Sequence, residues 1–458
     1  MVAPIPPDFL DRLFSFLSPE TVDAIAKETG FIQRKRKVSA SDFLSLLFEV
    51  HGNLTDPSLQ ELSVKLGVEQ NIEVSRNAID KKFTPEAVEF LRRLLKELMV
   101  CEQQLPLLRH PLAADLPFSR IQVMDATSAD VPKRTQARAK KSRQVSAKIQ
   151  QEFDLLTGQL HFFSVDLENI NDTVMGAKRV PFLEGQELCL QDLGFFHFAM
   201  FEGMQEKESY FLTKFRNDAF LAYKNPFPAH HPNGSVIARS EYQRIDLVGL
   251  CERMAPGEVL ELEEVHFGRD AHFPARCVLF AQSEEQKEKR RAKLRRRAEK
   301  TGKTPKPLVW KLARVTGYMT NVPQEISPEH VVQLYRLRWQ VEWNIRGMKS
   351  FLGLDHFKVV KRERWLCHLY ATLLVYFISQ LIAYQIRNAV WKEEAIEISE
   401  TVAIRSIACA FLPKLYNACR QKKKTLQTFI PLITRLLTRT ARKPNSARGT
   451  ALKRLQLV

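Results

Sequence analysis

The sequence predicts a mixed α/β protein with helical regions at both ends. Between residues 117 and 215, short apolar runs typical of strands alternate with segments typical of helices. Residues 1–110 and the region from about 362 instead carry apolar residues at three- and four-residue steps, as amphipathic helices do. We therefore expect one α/β core between two helical regions.

The elements of the core follow from local patterns. FSRIQVMDAT predicts a buried strand, VSAKIQQEFDLLTGQLHFFSVDL two strands around a turn at 155–158, GQELCLQD and SYFLTKF two more strands, and GFFHFAMFEG a short helix. A basic loop is expected over 133–143 and a helix over 172–183. The order strand–strand–strand–helix–strand–helix–strand is that of a ribonuclease-H-like (retroviral-integrase-like) catalytic core.

The whole chain is strongly basic. Its 458 residues hold 69 Lys and Arg against 52 Asp and Glu, a formal net charge of +17. Such a charge favours a polyanionic partner, either nucleic acid or an anionic membrane surface. Seven Cys without a CxxC pair argue against a disulfide scaffold and a zinc finger, and for a reducing, cytoplasmic compartment.

Two acidic residues each end an apolar run in the predicted core. Asp125 ends FSRIQVMD and Asp192 ends GQELCLQD. Ligands bind at the carboxyl edge of the strands in α/β proteins. If the first and fourth strands are neighbours, these two carboxylates meet there. Asp130 is a rival to Asp125, and a weaker one because it lies farther from the strand core.

The stretch YRLRWQVEWNIRGMK, residues 335–349, predicts one helix with a polar stripe. At about 100° per residue, one narrow stripe collects a phenol, an acid and three cations. These residues are Tyr335, Arg338, Glu342, Arg346 and Lys349. The apolar residues of the same stretch fall on another face, which we expect to be buried.

One acid among cations suits a metal together with a polyanion, although solvated Glu–Arg pairs are common on helices. Glu342 is expected to approach Asp125 and Asp192 from the helix that follows the core strands. Three carboxylates without His or Cys suit Mg²⁺ or Mn²⁺. Two such ions can clamp the attacking and leaving oxygens of a phosphoryl transfer.

The N-terminal region contains a candidate helix–turn–helix in DPSLQELSVKLGVEQNIEVSRNAIDKKF. A Leu-rich helix runs to Gly67, and a second helix begins near Ser75. Arg76, Lys81 and Lys82 would lie on this second helix, as DNA reading requires. The alternative is an ordinary three-helix packing unit.

Residues 216–320 break the rhythm of the core. SEYQRIDLVG and EVLELEEVHFG predict short strands, and WKLARVTGYMTNVP returns to strand character. A helical run holds nine cations between Lys287 and Lys300. It is either a solvated helix or a contact to phosphates. The apolar segment 366–386 is interspersed with polar residues, which favours a buried core helix over a membrane span.

These motifs together resemble those of a known family. The spacing Tyr335-x₂-Arg338-x₃-Glu342-x₆-Lys349 matches the Y-R-E-K signature of the DDE transposases of bacterial insertion sequences, specifically the fourth insertion-sequence family. MDAT at 124–127 and LQDLGFF at 190–196 are similar to the two Asp motifs of that family. TNVP at 320–323 and RWQVE at 338–342 also match. The resemblance covers roughly residues 115–385.

The resemblance implies a cut-and-paste chemistry on DNA. Asp125, Asp192 and Glu342 would bind two Mg²⁺ ions, and water would nick the transposon end to leave a 3′ hydroxyl. That hydroxyl would attack further phosphodiesters, through a hairpin in the better-known members and then by strand transfer into target DNA. Both the terminal inverted repeats and the target are double-stranded DNA. In this family, paired cleavage of two ends suggests a homodimer on DNA. For a bacterial protein of this kind we expect a cytoplasmic, nucleoid-associated location.

Individual residues receive roles from the same resemblance. Tyr335, Arg338 and Lys349 would hold the phosphate of the terminal nucleotide, which positions without reading sequence. Trp310 is a candidate for stacking on a flipped base, and a buried strand Trp is the equal alternative. Arg346 is added from the helical angles alone.

The expected division of the chain has four parts. A helical DNA-binding domain covers 1–112, the catalytic core 113–215 and 321–360, a β-rich insertion with the basic helix 216–320, and a basic helical region 361–458. Three other functions remain open at this stage. They are a related nuclease or recombinase, a catalytically silent DNA-binding repressor and, ranked last, a membrane-associated basic protein.

Overall fold

The structure is a computed structural model of the chain. It describes residues 5–34, 36–130, 146–167, 179–216, 219–305, 307–354, 358, 360–420, 426–443 and 452–456. The predicted basic loop at 133–143 and most of the predicted helix at 172–183 lie outside these residues. Within the latter range, a short 3₁₀ helix covers Val180–Phe182.

The α-helices are numbered in chain order. They are α1 Pro7–Phe16, α2 Pro19–Glu28, α3 Ala40–Glu49, α4 Leu59–Gln70, α5 Arg76–Asp80, α6 Pro85–Gln103, α7 Phe198–Glu206, α8 Ala238–Glu241, α9 Leu247–Arg253, α10 Glu284–Thr301, α11 Pro307–Lys311, α12 Pro328–Arg336, α13 Trp339–Leu352, α14 Arg362–Glu394, α15 Glu400–Ser406, α16 Leu412–Arg420 and α17 Leu426–Thr440.

The strands are numbered in the same way. They are β1 Arg120–Asp130, β2 Ser146–Asp154, β3 Leu160–Asp166, β4 Glu187–Gln191, β5 Tyr210–Lys214, β6 Leu221–Lys224, β7 Tyr242–Arg244, β8 Val259–Phe267, β9 Phe273–Ala281 and β10 Val315–Thr320. The mixed α/β character predicted from the sequence is confirmed.

The chain divides into two compact units. Unit 1 comprises Met1–Ala114, Asp125–Ile170 and Gln340–Gly449. Unit 2 comprises Asp115–Met124, Asn171–Trp339 and Thr450–Val458. The division into four functional domains remains a prediction.

Unit 1 is built around helix α14. Its apolar stretch is a buried core helix, as predicted. By length and composition α14 could cross a membrane, but 89% of its most apolar window is buried inside the protein. The polar residues within the stretch are buried as well, and several of them bond to neighbouring segments. Their hydrogen bonds offset the cost of removing polar groups from water.

The β2–β3 hairpin of unit 1 is held by polar side chains of α14. The strands pair antiparallel around the turn at 155–158, as the sequence predicts. Gln380 Nε2 donates to the carbonyl oxygen of Gly158 at 2.9 Å. Arg387 Nη2 donates to the carbonyl oxygens of Leu155 and Leu156 at 3.0 and 3.2 Å. These bonds fix the tip of the hairpin on the core helix.

The candidate helix–turn–helix differs from its prediction in two ways. Gly67 lies inside α4, which ends instead at Gln70 and is followed by its C-cap Asn71 in the left-handed conformation with φ 56°. The second helix begins after its cap Ser75 as expected, but it is only five residues long and ends at Asp80. The prediction that Lys81 and Lys82 lie on it is wrong. The chain turns directly after α5 and reaches Thr84 and Pro85. Because Thr84 precedes a proline, helical backbone angles are disfavoured at Thr84.

Unit 2 contains an extended sheet. Its strand order is β1-β4-β5-β10-β9-β8-β6-β7, where β1 contributes its residues up to Met124. β1, β4 and β5 pair in parallel, whereas β10 and the strands beyond it pair antiparallel. The expected neighbourhood of the first and fourth core strands is confirmed by this parallel pairing.

Three predicted elements of the core and insertion need correction. β1 does not end at Asp125 but continues to Asp130. Only Tyr242–Arg244 of SEYQRIDLVG is a strand, because Asp246 caps the helix α9 directly after it. Trp310 lies on the short helix α11, which begins at Pro307, and not on a strand. The basic run is helix α10, as predicted.

The stretch 335–349 is two helices rather than one. α12 ends at Arg336, and α13 begins at Trp339. The amides of Leu337 and Arg338 bond to carbonyls three residues earlier, at 3.0 and 3.1 Å. Such tight bonds close the last turn of a helix. The positions around the helix that were predicted at about 100° per residue therefore apply to the residues of α13. They do not apply to Tyr335 and Arg338, which precede α13.

Candidate active site

Asp192 follows directly on β4. It opens a 3₁₀ turn over Leu193–Phe195, and its carboxylate makes no capping hydrogen bond to that turn. The side chain is half-buried. The preceding residue, Gln191, is fully buried in the sheet. The strand therefore holds Asp192 at its end, and the carboxylate of Asp192 does not cap the turn that follows.

Tyr335 lies beside Asp192 in unit 2. Its side chain is 2% exposed, and its hydroxyl donates to the carbonyl oxygen of Gln191 at 3.3 Å. Burial raises the pKa of Tyr335, Arg338 opposes this shift and Asp192 adds to it. In this structure the hydroxyl thus bonds to the backbone next to Asp192.

Two cations flank the Tyr335 ring. The Lys214 Nζ lies 4.9 Å from the ring centroid and the Arg338 Cζ 6.0 Å. Arg338 is itself 6% exposed and lies in the turn between α12 and α13. A cation near an aromatic face is stabilised by the ring quadrupole. Sequence reasoning missed Lys214, which lies at the end of β5 with no distinguishing motif.

Glu342, Arg346 and Lys349 share one face of α13. Within a continuous helix their positions differ by no more than about 60° in angle. Glu342 and Lys349 are half-buried and Arg346 is exposed. The Arg346 Cζ lies 4.8 Å from the ring centroid of Trp343, which is itself 48% exposed. The part of the predicted stripe that lies on α13, namely Glu342, Arg346 and Lys349, therefore shares one helix face as predicted.

Lys349 also connects α13 to β1 within unit 1. Its Nζ donates to the carbonyl oxygen of Ser128 at 2.9 Å. Ser128 lies three residues after Asp125 on the same strand. Asp125 is half-buried, and its Oδ1 accepts from the amide of Ala126 at 2.8 Å. The lysine of the signature is therefore tied to the strand that carries the first acid.

The metal site predicted from Asp125, Asp192 and Glu342 remains a prediction. Within the described residues, no group of three or more His, Cys, Asp or Glu side chains is placed to hold a metal ion. The donor chemistry suits a hard divalent cation, because each of the three side chains offers carboxylate oxygens.

The other predicted DNA-contacting residues are all at least partly accessible. Arg76 is exposed at the first position of α5, and Lys81 is exposed just after the end of that helix. Trp310 is half-buried beneath two guanidinium groups of α10. It lines a pocket of about 510 Å³ together with Arg295, Glu299 and Lys311.

Arg276 on β9 is a structural residue that sequence reasoning missed. Its Nε pairs with Glu261 at 2.6 Å, and its Nη1 donates to the carbonyl oxygens of Val322 and Pro323 at 2.8 and 2.6 Å. Its Nη2 donates to the carbonyl oxygen of Ile326 at 3.1 Å. Arg276 therefore fixes the TNVP segment that precedes α12. A single cation within the apolar run of β9 was the only signal.

A family model described as the transposase DDE domain matches residues 116–378. The chain is 29% identical over 443 residues to the transposase for insertion sequence element IS231C of Bacillus thuringiensis subsp. berliner, covering 95% of this chain and 92% of that protein. It is 29% identical over 402 residues to the transposase for insertion sequence element IS1151 of Clostridium perfringens, covering 86% and 84%.

Among solved structures, the chain is similar to the piggyBac transposase in a cryo-EM synaptic complex with hairpin DNA. The identity is 12% and the TM-score 0.45, and the match covers 97% of this chain and 85% of that one.

Proposed function

Because the chain belongs to the DDE transposase family, whose model matches residues 116–378, we propose that Asp125, Asp192 and Glu342 are its catalytic carboxylates. The chain is a DNA transposase, an enzyme that cleaves and joins phosphodiester bonds, as its relatives along almost its whole length also are. All three acids lie within the matched residues.

The strand register is the observation that carries this assignment. β1 and β4 pair in parallel with Val123 opposite Leu190 as the last pair. Asp125 follows Val123 by two residues, and Asp192 follows Leu190 by two. The two acids thus stand at equivalent positions along the chain relative to the last pair, as a shared metal site at the ends of these strands requires. We infer a ribonuclease-H-like core on this basis.

The DDE domain implies a divalent metal cofactor, and we propose Mg²⁺ or Mn²⁺. The three carboxylates supply hard oxygen donors, and His and Cys are absent from the proposed set. When bound, such ions polarise the scissile phosphate and lower the pKa of water.

The proposed reaction is cut-and-paste transposition. A water oxygen forms a bond to phosphorus at the transposon end, the bond from phosphorus to the 3′ oxygen breaks, and a 3′ hydroxyl and a 5′ phosphate result. The 3′ oxygen then attacks a target phosphodiester and displaces the 3′ oxygen there. The first step consumes one water and one phosphodiester bond, and a proton of the water ends on the released 3′ oxygen. The second step breaks one phosphodiester bond for each one that it forms, and the displaced 3′ oxygen takes the proton of the attacking hydroxyl, so water is the only further reactant. A hairpin intermediate is one route between them.

The side chains around the acids would position the DNA. Lys349 and Arg346 lie on the same face of α13 as Glu342, where their charges would attract the phosphate next to the scissile bond. Arg338 and Tyr335 would hold the terminal phosphate, which requires the Tyr335 hydroxyl to leave the Gln191 carbonyl when DNA binds. These contacts position the DNA and carry no sequence information.

DNA is the partner of this activity, and we propose that it includes the terminal inverted repeats and target duplex. Reading of the repeats is assigned to the N-terminal region through Arg76 and Lys81, and base stacking to Trp310. The four-part division, with DNA binding at 1–112, catalysis at 113–215 and 321–360, insertion at 216–320 and a helical end at 361–458, belongs to the same proposal. So do a homodimer on DNA and a nucleoid-associated, cytoplasmic location.

The test is cleavage of labelled DNA that carries the repeats flanking the gene, in Mg²⁺. We expect Glu342→Gln, Asp125→Asn and Asp192→Asn each to abolish nicking while DNA binding persists. Glu329→Gln, an exposed acid at the start of α12, is the control and should cleave normally. Normal nicking by Glu342→Gln would refute the assignment.

A catalytically silent repressor is the alternative function. It predicts that the unaltered protein binds the repeats but never nicks them in Mg²⁺ or Mn²⁺. The presence of all three acids and the whole signature favours the enzyme.

A further inference from the structure

We propose that the outward face of α10 binds the phosphate backbone of duplex DNA. The residues of this outer stripe are Lys293, Arg296, Arg297 and Lys300. The inference rests on the proposed function, since it assigns a second DNA contact to a transposase. It concerns a surface remote in sequence from the three proposed catalytic acids.

Three arginines anchor α10 to neighbouring segments, Arg291 and Arg295 on its inner face and Arg290 at the edge of the outer stripe. Arg290 Nη1 donates to the carbonyl oxygens of Ala313 and Val315 at 3.4 and 3.1 Å. The guanidinium carbons of Arg291 and Arg295 both lie 5.3 Å from the ring centroid of Trp310. Burial lowers the pKa of Arg290. These three arginines therefore have structural partners and are not part of the outer stripe.

The outer stripe is a coherent surface. At about 100° per residue its four side chains fall within roughly 100° of each other around the helix. All four are exposed. Among the residues that the structure describes, none of the four makes an ion pair or a side-chain hydrogen bond. Their charges thus face solvent together.

The distribution of acids along α10 separates this surface from an ordinary solvated helix. The first half is balanced by three ion pairs, Lys287–Glu284, Lys289–Glu285 and Arg291–Glu288. From Lys293 to Lys300 the only acid is Glu299. Like charges three and four residues apart on a helix repel each other and destabilise it. A bound polyanion would remove this repulsion.

The spacing of the stripe suits a DNA strand. From Lys293 to Lys300 the helix rises by roughly 10 Å. A DNA strand carries one phosphate per about 3.4 Å of the duplex axis, so the stripe can face about three phosphates. Flexible Lys and Arg side chains can reach phosphates without base contacts. The surface would therefore add affinity for any sequence.

Duplex DNA is the occupant we infer because the family acts on DNA. RNA presents the same phosphate chemistry, and its binding is an outcome that the test must separate. The stripe variant replaces all four residues, as Lys293→Gln, Arg296→Gln, Arg297→Gln and Lys300→Gln. The control removes the same charge from exposed, dispersed positions of unit 2, as Lys207→Gln, Lys224→Gln, Arg239→Gln and Arg269→Gln.

The measurement is the affinity of the full chain for a DNA duplex of unrelated sequence, for end DNA and for an RNA duplex, over a range of salt concentrations. We expect the stripe variant to bind both DNAs more weakly. We also expect the slope of log K against log salt to be smaller in magnitude by about three. The control should lose less than about one. Single-turnover cleavage at saturating DNA should remain in the stripe variant, because the proposed catalytic acids are intact.

Three results would overturn the inference: an unchanged salt slope, equal losses in both variants, or a loss confined to RNA. The proposed function would survive each of them if end cleavage persists. Conversely, absence of cleavage by the unaltered protein with a normal stripe effect would refute the enzymatic function and leave the surface in place.

Discussion

The Nζ of Lys349 on α13 donates a hydrogen bond to the carbonyl oxygen of Ser128 on β1, at 2.9 Å. Lys349 follows Glu342 by seven residues, and Ser128 follows Asp125 by three. One side chain of the signature thus ties the helix of the third proposed acid to the strand of the first. Lys349, Ser128 and these two acids all lie in unit 1.

The first prediction concerns this tie. Lys349→Met should reduce end cleavage by about 10²-fold, because a displacement near 1 Å at a reacting group costs that much. Lys349→Arg keeps the charge and should retain more activity. Single-turnover cleavage at saturating DNA separates this loss from weaker binding. Lys358→Met, an exposed cation paired with Asp56, is the control. Equal activity of Lys349→Met and this control would contradict the prediction.

The second prediction concerns Tyr335. Tyr335→Phe removes the hydroxyl that bonds to Gln191 and should cost about 0.5–1.5 kcal/mol of the free energy of unfolding. Because Asp192 follows Gln191, we also expect a higher Mg²⁺ concentration for half-maximal cleavage. The metal titration is the informative measurement, since a role in the phosphate clamp alone would instead weaken DNA binding.

Tyr318→Phe serves as the control for that variant. Tyr318 is buried, and its ring centroid lies 5.1 Å from that of Tyr335. Its loss should leave the metal requirement unchanged. If both Phe variants shift the metal titration equally, the effect comes from ring packing and not from the bond to Gln191.

The sequence anticipated the strands of the core because their apolar runs are short and well bounded. It placed Asp192 correctly, since the polar residues Gln191 and Asp192 follow the apolar run of this strand. It ended β1 too early at Asp125. Ala and Thr continue the strand without an apolar signal, and their pairing is decided by neighbours distant in sequence.

The break between α12 and α13 could not be foreseen from residues 335–349. No Pro or Gly lies between Tyr335 and Glu342, and the apolar spacing continues through the turn. The break is visible only in the structure, where the amides of Leu337 and Arg338 bond to carbonyl oxygens three residues earlier. Arg276 was equally hidden, because its partners are backbone carbonyls far along the chain.

The third prediction concerns Arg276. Arg276→Met leaves Glu261 and the carbonyl oxygens of the TNVP segment without their donor. We expect a loss of about 1–3 kcal/mol in the free energy of unfolding, as is typical when a hydrogen-bonding partner of partly buried polar groups is removed. Thermal unfolding checks it, with the exposed Arg269→Met as control. A change of less than about 1 kcal/mol would show that the pair behaves as a surface salt bridge.

The last prediction concerns Glu102, which is buried near the end of α6. Burial raises its pKa to about 8, and the hydrogen bond from the amide of Leu160 at 2.6 Å opposes the shift only in part. The ordinary pKa of 4.5 applies in the unfolded chain. Between these values the folded protein keeps a proton that the unfolded chain releases. Stability should therefore be full below pH 4.5 and decline as the pH rises toward about 8.

Glu102→Gln keeps an acceptor for the Leu160 amide but cannot ionise. The difference in Tm between this variant and the unaltered protein should move in favour of the variant by a few °C as the pH rises from about 5 to about 8. Unfolding followed across that range measures it. Glu89→Gln, at the surface of the same helix and paired with Arg92, should show no such trend. A constant difference at every pH would mean that Glu102 titrates alike in the folded and unfolded chains.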